Sequence, residues 1–376
     1  MKKITILALH LNYGGVEKYI SSLCKMLEDK YEIELIVTYS GIPAFNFSKN
    51  IKIKYLINEM PNREKFMEYL KDKKIFKTLL EGFKAIKILY LKRYLNIKTI
   101  KNIDSDYIIT TRMFHNKLVG KYANENIVKI ATEHNYHENN MKYVSKLLKS
   151  LDNFDYFITV SKELYDYYVD KVSNAEVIYI SNILDFVPNK KSPLKDNNIV
   201  SVGRFSKEKC FDDLIDVFKK VNDAVSDTKL YLIGSGDQKD IIKKKVKEYG
   251  LTEKVILPGF LPQKDIEKYY LKSKIYVMTS RTESFGLVLI EAMSYGLPCI
   301  AFDCASGARE IINKDNGKLI NNRDKDKMAK DIVKLLNNSN ALNSLSKEAI
   351  KTSKTYSMIN IKNIWLELLE KNERNL

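Results

Sequence analysis

Short β-branched runs alternate with helical stretches along almost the whole chain. In the first half, residues 3–10, 32–39, 51–57, 107–112, 128–133, 156–160 and 177–181 carry the dense apolar pattern of buried strands. Most of these runs are separated by segments with a period near 3.6, such as residues 16–27 and 143–151. That alternation predicts a parallel sheet with helices on both faces.

The pattern breaks at Pro188-Asn189-Lys190-Lys191-Ser192-Pro193, followed by Lys195-Asp196-Asn197-Asn198, a polar stretch with the character of a linker. A second alternating series follows, with strands expected at residues 199–202, 229–233, 254–257, 274–279 and 298–302. Helices are expected at 211–221, 238–249 and 266–271. Right-handed crossovers make this a second doubly wound domain. We therefore expect an α/β chain of two Rossmann-like domains, 1–187 and 195–358, facing each other across a cleft. Ligands would bind at the carboxyl ends of the strands.

Composition narrows the class. With 376 residues, 45% of them hydrophobic, the chain can bury the core of two domains and is neither disordered nor fibrous. The four cysteines, Cys24, Cys210, Cys299 and Cys304, have no spacing that suggests a disulfide framework or a zinc site; reduced thiols in a cytosolic protein are expected. The opening Met1-Lys2-Lys3 and its apolar run lack a small-residue cleavage site and lead straight into Asn12-Tyr13-Gly14-Gly15, so a first strand is expected rather than a signal peptide. No stretch approaches the ~20 apolar residues of a membrane span, so the protein is expected to be soluble or peripheral.

Charge adds a partner. Lys and Arg total 63 against 47 acidic residues, a net of +16. Residues 63–101 hold twelve basic and four acidic side chains, which is +8, half of that excess. Phe66, Tyr69, Phe76, Phe83, Tyr90 and Tyr94 are interleaved among them. A basic helix with aromatic and aliphatic residues between its charges suits an anionic lipid surface; a solvated helical face fits equally. No nucleic-acid-binding motif accompanies the charge, so no nucleic acid partner is expected.

Four motifs fall at strand ends of the second domain. In Val202-Gly203-Arg204-Phe205-Ser206-Lys207-Glu208-Lys209 a strand closes on glycine, and Arg204 and Lys209 project from the loop before a helix, a combination that suits a diphosphate. Leu232-Ile233-Gly234-Ser235-Gly236-Asp237 is a glycine turn that allows close backbone approach. The sharpest runs from Ser280-Arg281-Thr282-Glu283-Ser284-Phe285-Gly286 into Leu287-Val288-Leu289-Ile290-Glu291-Ala292-Met293. It places Glu283 in a loop and Glu291 on an otherwise apolar helix ending near Gly296. A carboxylate there needs hydrogen-bond donors, and a ribose diol supplies them, as would a buried Arg. The amides of Phe285 and Gly286 open toward a sugar or phosphate oxygen. Asp303-Cys304-Ala305-Ser306-Gly307-Ala308-Arg309-Glu310 again links a strand to a helix, with small residues that expose amides. In the first domain Tyr13-Gly14-Gly15-Val16-Glu17-Lys18 follows the first strand. Thr132-Glu133-His134-Asn135 closes another, which favours His134 over His115 among the four histidines.

Together these residues resemble family 4 of the retaining glycosyltransferases, of GT-B architecture, over nearly the whole chain and most strongly from Val202 to Ile312. The resemblance implies that Arg204 and Lys209 neutralise a nucleotide diphosphate and stabilise the leaving group, and that Glu291 holds the ribose. Glu283, with the amides of Phe285 and Gly286, would orient the donor sugar, and Leu287 would line the donor site. Gly14 and Gly15 would line the phosphate and acceptor side, and His134 would contact the sugar near the reacting carbon. Gly203, Gly234 and Gly307 would allow close approach to the donor, and Pro258-Gly259-Phe260-Leu261 would cradle the base. It implies a UDP-sugar as donor, no metal or other cofactor, and a front-side displacement in which the departing phosphate helps deprotonate the acceptor. The final helix, 359–376 with Trp365, would pack back on the first domain.

The resemblance is incomplete at two places. Cys210 stands where many members have glycine, and Ala305-Ser306-Gly307-Ala308 replaces the commoner Gly-Gly. The latter resembles enzymes of surface polysaccharides, lipid-linked glycans and teichoic acids. The implied acceptor is a lipid-linked or polymeric cell-surface glycan at the inner face of the plasma membrane, with the protein peripheral there through 63–101. A soluble synthase acting on a small sugar, a sugar-nucleotide epimerase and a non-enzymatic membrane-binding module are the competing readings. Asp104-Ser105-Asp106 resembles a metal-binding Asp-x-Asp but precedes a strand, and is expected to be a solvated turn.

Overall fold

The computed structural model describes residues 1–137, 140–303 and 306–373. The chain divides into two compact units, Met1–Val160 with Leu164–Ile180, and Ser161–Glu163 with Ser181 onward. The first holds seven strands, β1 (Lys3–Ala8), β2 (Glu32–Tyr39), β3 (Lys52–Ile57), β4 (Tyr107–Thr110), β5 (Val128–Glu133), β6 (Tyr156–Thr159) and β7 (Glu176–Tyr179). They form one parallel sheet in the order β3-β2-β1-β4-β5-β6-β7. The second holds β8 (Asn198–Val202), β9 (Lys229–Ile233), β10 (Val255–Gly259), β11 (Ile275–Met278), β12 (Cys299–Phe302) and β13 (Gly317–Ile320). These are parallel too, in the order β10-β9-β8-β11-β12-β13.

Each sheet begins in its middle, winds outward for three strands and resumes on the other side of its first strand. The direction reverses between β1 and β4 and between β8 and β11, and open α/β sheets bind ligands outside the carboxyl ends at such a switch point. The central strands read as continuous apolar runs because helices cover both faces: Ile4, Ile6, Leu7, Ile275, Tyr276 and Val277 are fully buried.

β13 is absent from the sequence expectation. Gly317-Lys318-Leu319-Ile320 is a four-residue edge strand on β12 with only two large apolar side chains, too short to show a period. The expected helix at 143–151 lies instead at Met141–Leu148, because the Asn140 side chain caps it by accepting the Tyr143 N–H. Asp106 does more than sit in a solvated turn: its carboxylate accepts the Lys3 N–H at 2.7 Å and fixes the start of β1.

Residues 63–101 form two helices, Arg63–Lys71 and Ile75–Ile100. The longer one buries Ile88 against Tyr39 of β2 and Ile57 of β3. Its opposite side leaves Phe76, Leu79, Leu80, Phe83, Ile86 and Tyr90 exposed, with Phe76 80% and Phe83 71% accessible. Among the described residues no helix is long and apolar enough to cross a membrane.

Candidate functional site

At the second sheet's switch point, β8 and β11 end side by side. The Tyr276 hydroxyl of β11 donates to the Val202 carbonyl at 3.2 Å, and the Gly203 N–H bonds to the Ile233 carbonyl at 3.0 Å. The loop after β8 is then drawn onto β11. Thr279 Oγ1 donates toward the carbonyls of Lys209 and Cys210 at 3.1 and 3.0 Å, and the Arg281 N–H bonds to the Glu208 carbonyl at 2.8 Å. Here Lys209 Nζ pairs with a carboxylate oxygen of Glu283, both side chains mostly buried. Arg204 is different: its side chain is 74% exposed, and its guanidinium meets Glu208 at 3.0 Å. The two expected phosphate ligands thus share one loop, one clamped and one projecting into solvent.

Cys210 has φ 48° and ψ 48°, the left-handed conformation that favours glycine. The backbone shape is kept, and the thiol bonds to the Lys207 carbonyl at 3.2 Å and accepts from Arg281 Nε at 3.2 Å.

The glycines hold the strand ends close. A Cβ at Gly234 would lie 1.8 Å from the Gly203 carbonyl oxygen, and one at Gly307 would lie 1.9 Å from the Phe285 carbonyl oxygen. The Gly234 N–H meets the Gly259 carbonyl at 3.0 Å, which brings in the end of β10, after which Phe260 is half exposed. Leu261 follows it. Phe285 is buried, and Gly286, at φ 92°, precedes the helix Leu287–Ser294. Glu291 is partly buried on that helix. Burial, with a contribution from the Glu291 charge, keeps the phenols of Tyr270, Tyr276 and Tyr295 well above their ordinary pKa. In the fourth motif, Cys304 and Ala305 lie outside the described residues.

At the first sheet's switch point, Gly14 and Gly15 open the helix Gly15–Leu27 after β1. Glu17 is buried in its first turn, bonded to Arg112 at 2.9 Å and 3.5 Å from His10 Nδ1. A Cβ at Gly14 would lie 2.1 Å from Glu17 Oε2, and because Arg112 fixes that carboxylate it cannot swing aside. His134 follows β5, its Nε2 2.9 Å from Thr132 Oγ1 and its ring edge-on to Tyr19 at 4.4 Å. Burial, then the Arg112 charge, lowers its pKa to about 3, so the imidazole is neutral. His115 is a core histidine, bonded to Thr38 at 3.0 Å.

The sequence therefore places Gly203, Arg204, Lys209, Gly234, Phe260, Leu261, Glu283, Phe285, Gly286, Leu287, Glu291 and Gly307 in the second unit, and Gly14, Gly15 and His134 in the first. It gave no role to Glu17, Arg112 or Thr132. Glu17 was legible as an acidic residue in an apolar helix start, but Arg112 closes an expected strand and shows no distinguishing pattern. Among the described residues no group of three His, Cys, Asp or Glu is placed to hold a metal ion.

Comparison with known proteins bears on the whole arrangement. Residues 184–352 match the family described as Glycosyl transferases group 1. The chain is similar to the amylovoran biosynthesis glycosyltransferase AmsD of Erwinia amylovora, 27% identical over 95% of this chain and 96% of that protein. It is similar to the Campylobacter jejuni N-acetylgalactosamine-N,N'-diacetylbacillosaminyl-diphospho-undecaprenol 4-alpha-N-acetylgalactosaminyltransferase, 28% identical over 96% of this chain and 97% of that one. Its fold is that of S. aureus TarM, solved with Fondaparinux, alpha-GlcNAc-glycerol and UDP, at a TM-score of 0.77, 18% identity, and coverage of 98% and 99%.

Proposed function

We propose that this chain, whose residues 184–352 match the glycosyl transferases group 1 family, is a glycosyltransferase that moves a hexose or N-acetylhexosamine from a UDP-sugar to a lipid-linked or polymeric cell-surface glycan. Transfer retains the anomeric configuration and uses no metal. The observation that carries this proposal is the convergence of Gly203, Lys209 and Glu283 at one switch point, with Glu291 on the following helix.

The roles follow from the chemistry. A diphosphate entering beside Gly203 competes with Glu283 for Lys209 and recruits the projecting Arg204. Negative charge grows on that diphosphate as the bond from the anomeric carbon to phosphate oxygen breaks, and cations already in place lower the barrier. The acceptor oxygen forms its bond to the same face, and its proton passes to the departing phosphate. Glu283, released from Lys209, and the amides of Phe285, Gly286 and Leu287 orient the sugar. Glu291 accepts from the ribose hydroxyls, Gly234 and Gly307 allow close backbone approach, and Phe260 and Leu261 line the base. In the first unit, Gly14 and Gly15 present backbone to phosphate and acceptor, and the neutral His134 takes a hydrogen-bonding part.

The relatives named for amylovoran and for a diphospho-undecaprenol acceptor support the acceptor class, and TarM solved with UDP supports the nucleotide. The exposed apolar stripe from Phe76 to Tyr90, bordered by Lys77, Lys84 and Lys87, supports peripheral attachment to the anionic inner face of the plasma membrane.

The test is a melting panel with UDP-, GDP- and ADP-sugars, beside Arg204→Ala and Glu291→Ala. A ligand at 100 times its Kd adds about 2.7 kcal/mol of stability. A shift confined to UDP-sugars and lost in both variants is expected. Absence of any shift in the wild type refutes the donor assignment.

A further inference from the structure

We propose that Thr132 fixes the tautomer of His134 so that the imidazole offers a bare Nδ1, and that this nitrogen accepts a hydrogen bond from a hydroxyl of the transferred sugar. The second half rests on the donor-contact role proposed for His134; the first half stands on geometry alone.

Thr132 lies at the carboxyl end of β5 and is buried. Its Oγ1 is 3.0 Å from the Thr110 carbonyl oxygen and 2.9 Å from His134 Nε2. A hydroxyl has one hydrogen. A carbonyl only accepts, so that hydrogen goes to Thr110, and toward His134 the same oxygen can only accept. His134 Nε2 must then carry a hydrogen, because two lone pairs at 2.9 Å would repel. A neutral imidazole has a single N–H, and which nitrogen bears it is set by the bond the ring makes. His134 is neutral: it is packed against Tyr19, and Arg112 lies near enough to disfavour a second positive charge. Nδ1 is therefore left with its lone pair and makes no hydrogen bond among the described residues.

The chain of bonds runs from the β4 backbone through Thr132 to the ring, so the orientation is set before any ligand arrives. A bare imidazole nitrogen in such a place is selective. It welcomes a hydroxyl and rejects a group that can only accept, because the site's own lone pair is then left unpaired. Thr132 is a positioning residue, since it acts through His134.

Histidine labelled with ¹⁵N and long-range proton–nitrogen correlation at pH 7 tests the tautomer directly. The signal is identified by its loss in His134→Ala, among four histidines. We expect a protonated Nε2 and an unprotonated Nδ1 in the wild type and in Thr132→Ser, and loss of that preference in Thr132→Val. Turnover of the UDP-sugar selected by the melting panel should fall roughly five- to tenfold in kcat/KM for Thr132→Val, with Thr132→Ser close to wild type and UDP affinity unchanged in both. One monodeoxyfluoro form of that donor should be discriminated by the wild type and not by His134→Ala. A wild-type His134 protonated on Nδ1 overturns the proposal whether or not the Thr132 variants fold. An Nε2–H tautomer with transfer indifferent to His134→Ala overturns the sugar contact alone. Loss of UDP binding from the wild type would instead be a failure of the donor assignment.

Discussion

Replacing Gly234 by alanine should disable the second unit far more than replacing Gly250, although both glycines have positive φ. At Gly234 φ is 147°, and a Cβ would stand 1.8 Å from the Gly203 carbonyl oxygen and 3.1 Å from the Phe205 ring. Cβ contacts do not form below 3.0 Å, so the end of β8 or of β9 has to move by more than 1.2 Å. Neither strand is free to do so, since the Gly203 N–H is bonded to Ile233 and the Gly234 N–H to Gly259. Gly250 has φ 66° and nothing within 4 Å of its virtual Cβ, so alanine there carries only backbone strain. That strain is about 1–2 kcal/mol, partly offset by a less flexible unfolded chain. Overpacking adds about 1–3 kcal/mol more at Gly234. At about 2–4 °C per kcal/mol for a unit of this size, Gly234→Ala should lower its Tm by roughly 5–15 °C and Gly250→Ala by roughly 2–5 °C. Calorimetry of both variants, with and without a saturating UDP-sugar, measures this. Only Gly234→Ala should also lose ligand stabilisation, because the displaced carbonyl belongs to the residue before Arg204. Equal melting of the two variants refutes the argument that close strand approach shapes this site.

Other outcomes follow from the same geometry. Lys209→Ala should weaken UDP binding and Glu283→Gln should leave it nearly intact, while both lower transfer, by about 10²-fold or more for the cation; equal effects on UDP affinity contradict the assigned roles. His115, fully buried, has its pKa lowered to about 3 by burial, then by Lys92 and Arg112. The unfolded chain therefore binds the extra proton below about pH 6.5, and stability falls as pH drops from there toward 3, by about 1.4 kcal/mol per pH unit. His134 is lowered in the same way, so His115→Gln should remove only the His115 share of the slope, and an unchanged pH profile of denaturant unfolding rejects it. The wild type should sediment with vesicles containing phosphatidylglycerol and not with phosphatidylcholine alone. Phe83→Glu should abolish this, and Lys77→Glu with Lys87→Glu should weaken it by at least tenfold, at about 1 kcal/mol per charge. Vesicle binding that survives both changes removes the membrane assignment.

The doubly wound pattern was legible because buried parallel strands are nearly continuous apolar runs, as in β1, β2 and β9, where the expected and observed limits agree within two residues. Strand-end motifs were legible because glycine and charge interrupt those runs abruptly, at Gly203 and Glu283. What stayed hidden depends on pairing across long sequence separations. Glu17 and Arg112 are 95 residues apart, and neither alone announces an ion pair. The short edge strand β13 carries no period, and nothing in the sequence after it announces that Asn322 and Arg323 both have positive φ, at 54° and 52°. Strained non-glycine residues of this kind persist where surrounding structure over-determines them.

Arg323 shows what that strain supports. Its guanidinium lies over the Phe302 ring at 4.5 Å, pairs with Asp213 at 2.6 Å, and donates to the carbonyls of Thr279 at 3.0 Å and Ser280 at 3.2 Å. Thr279 is the residue whose hydroxyl holds the Lys209–Cys210 backbone, so the fork reaches the loop proposed to bind the diphosphate through one strand end. Asp216, one turn along from Asp213, binds Lys245, Lys325 and the Tyr249 hydroxyl and touches neither carbonyl, although Lys325 also pairs with Asp213 and so joins the two carboxylates. Both carboxyls are held below their ordinary pKa: burial opposes this, but the hydrogen bonds from their cations outweigh it. Breaking either cluster should therefore destabilise the unit. Only the Arg323 fork, however, transmits to Lys209, and a lysine cannot reproduce two carbonyl bonds and an ion pair from one planar group. Arg323→Lys should weaken UDP binding, whereas Asp216→Asn should lower Tm without changing UDP affinity. Titration calorimetry on two variants matched for stability separates the cases, and equal UDP affinities would mean that the loop keeps its shape without the fork.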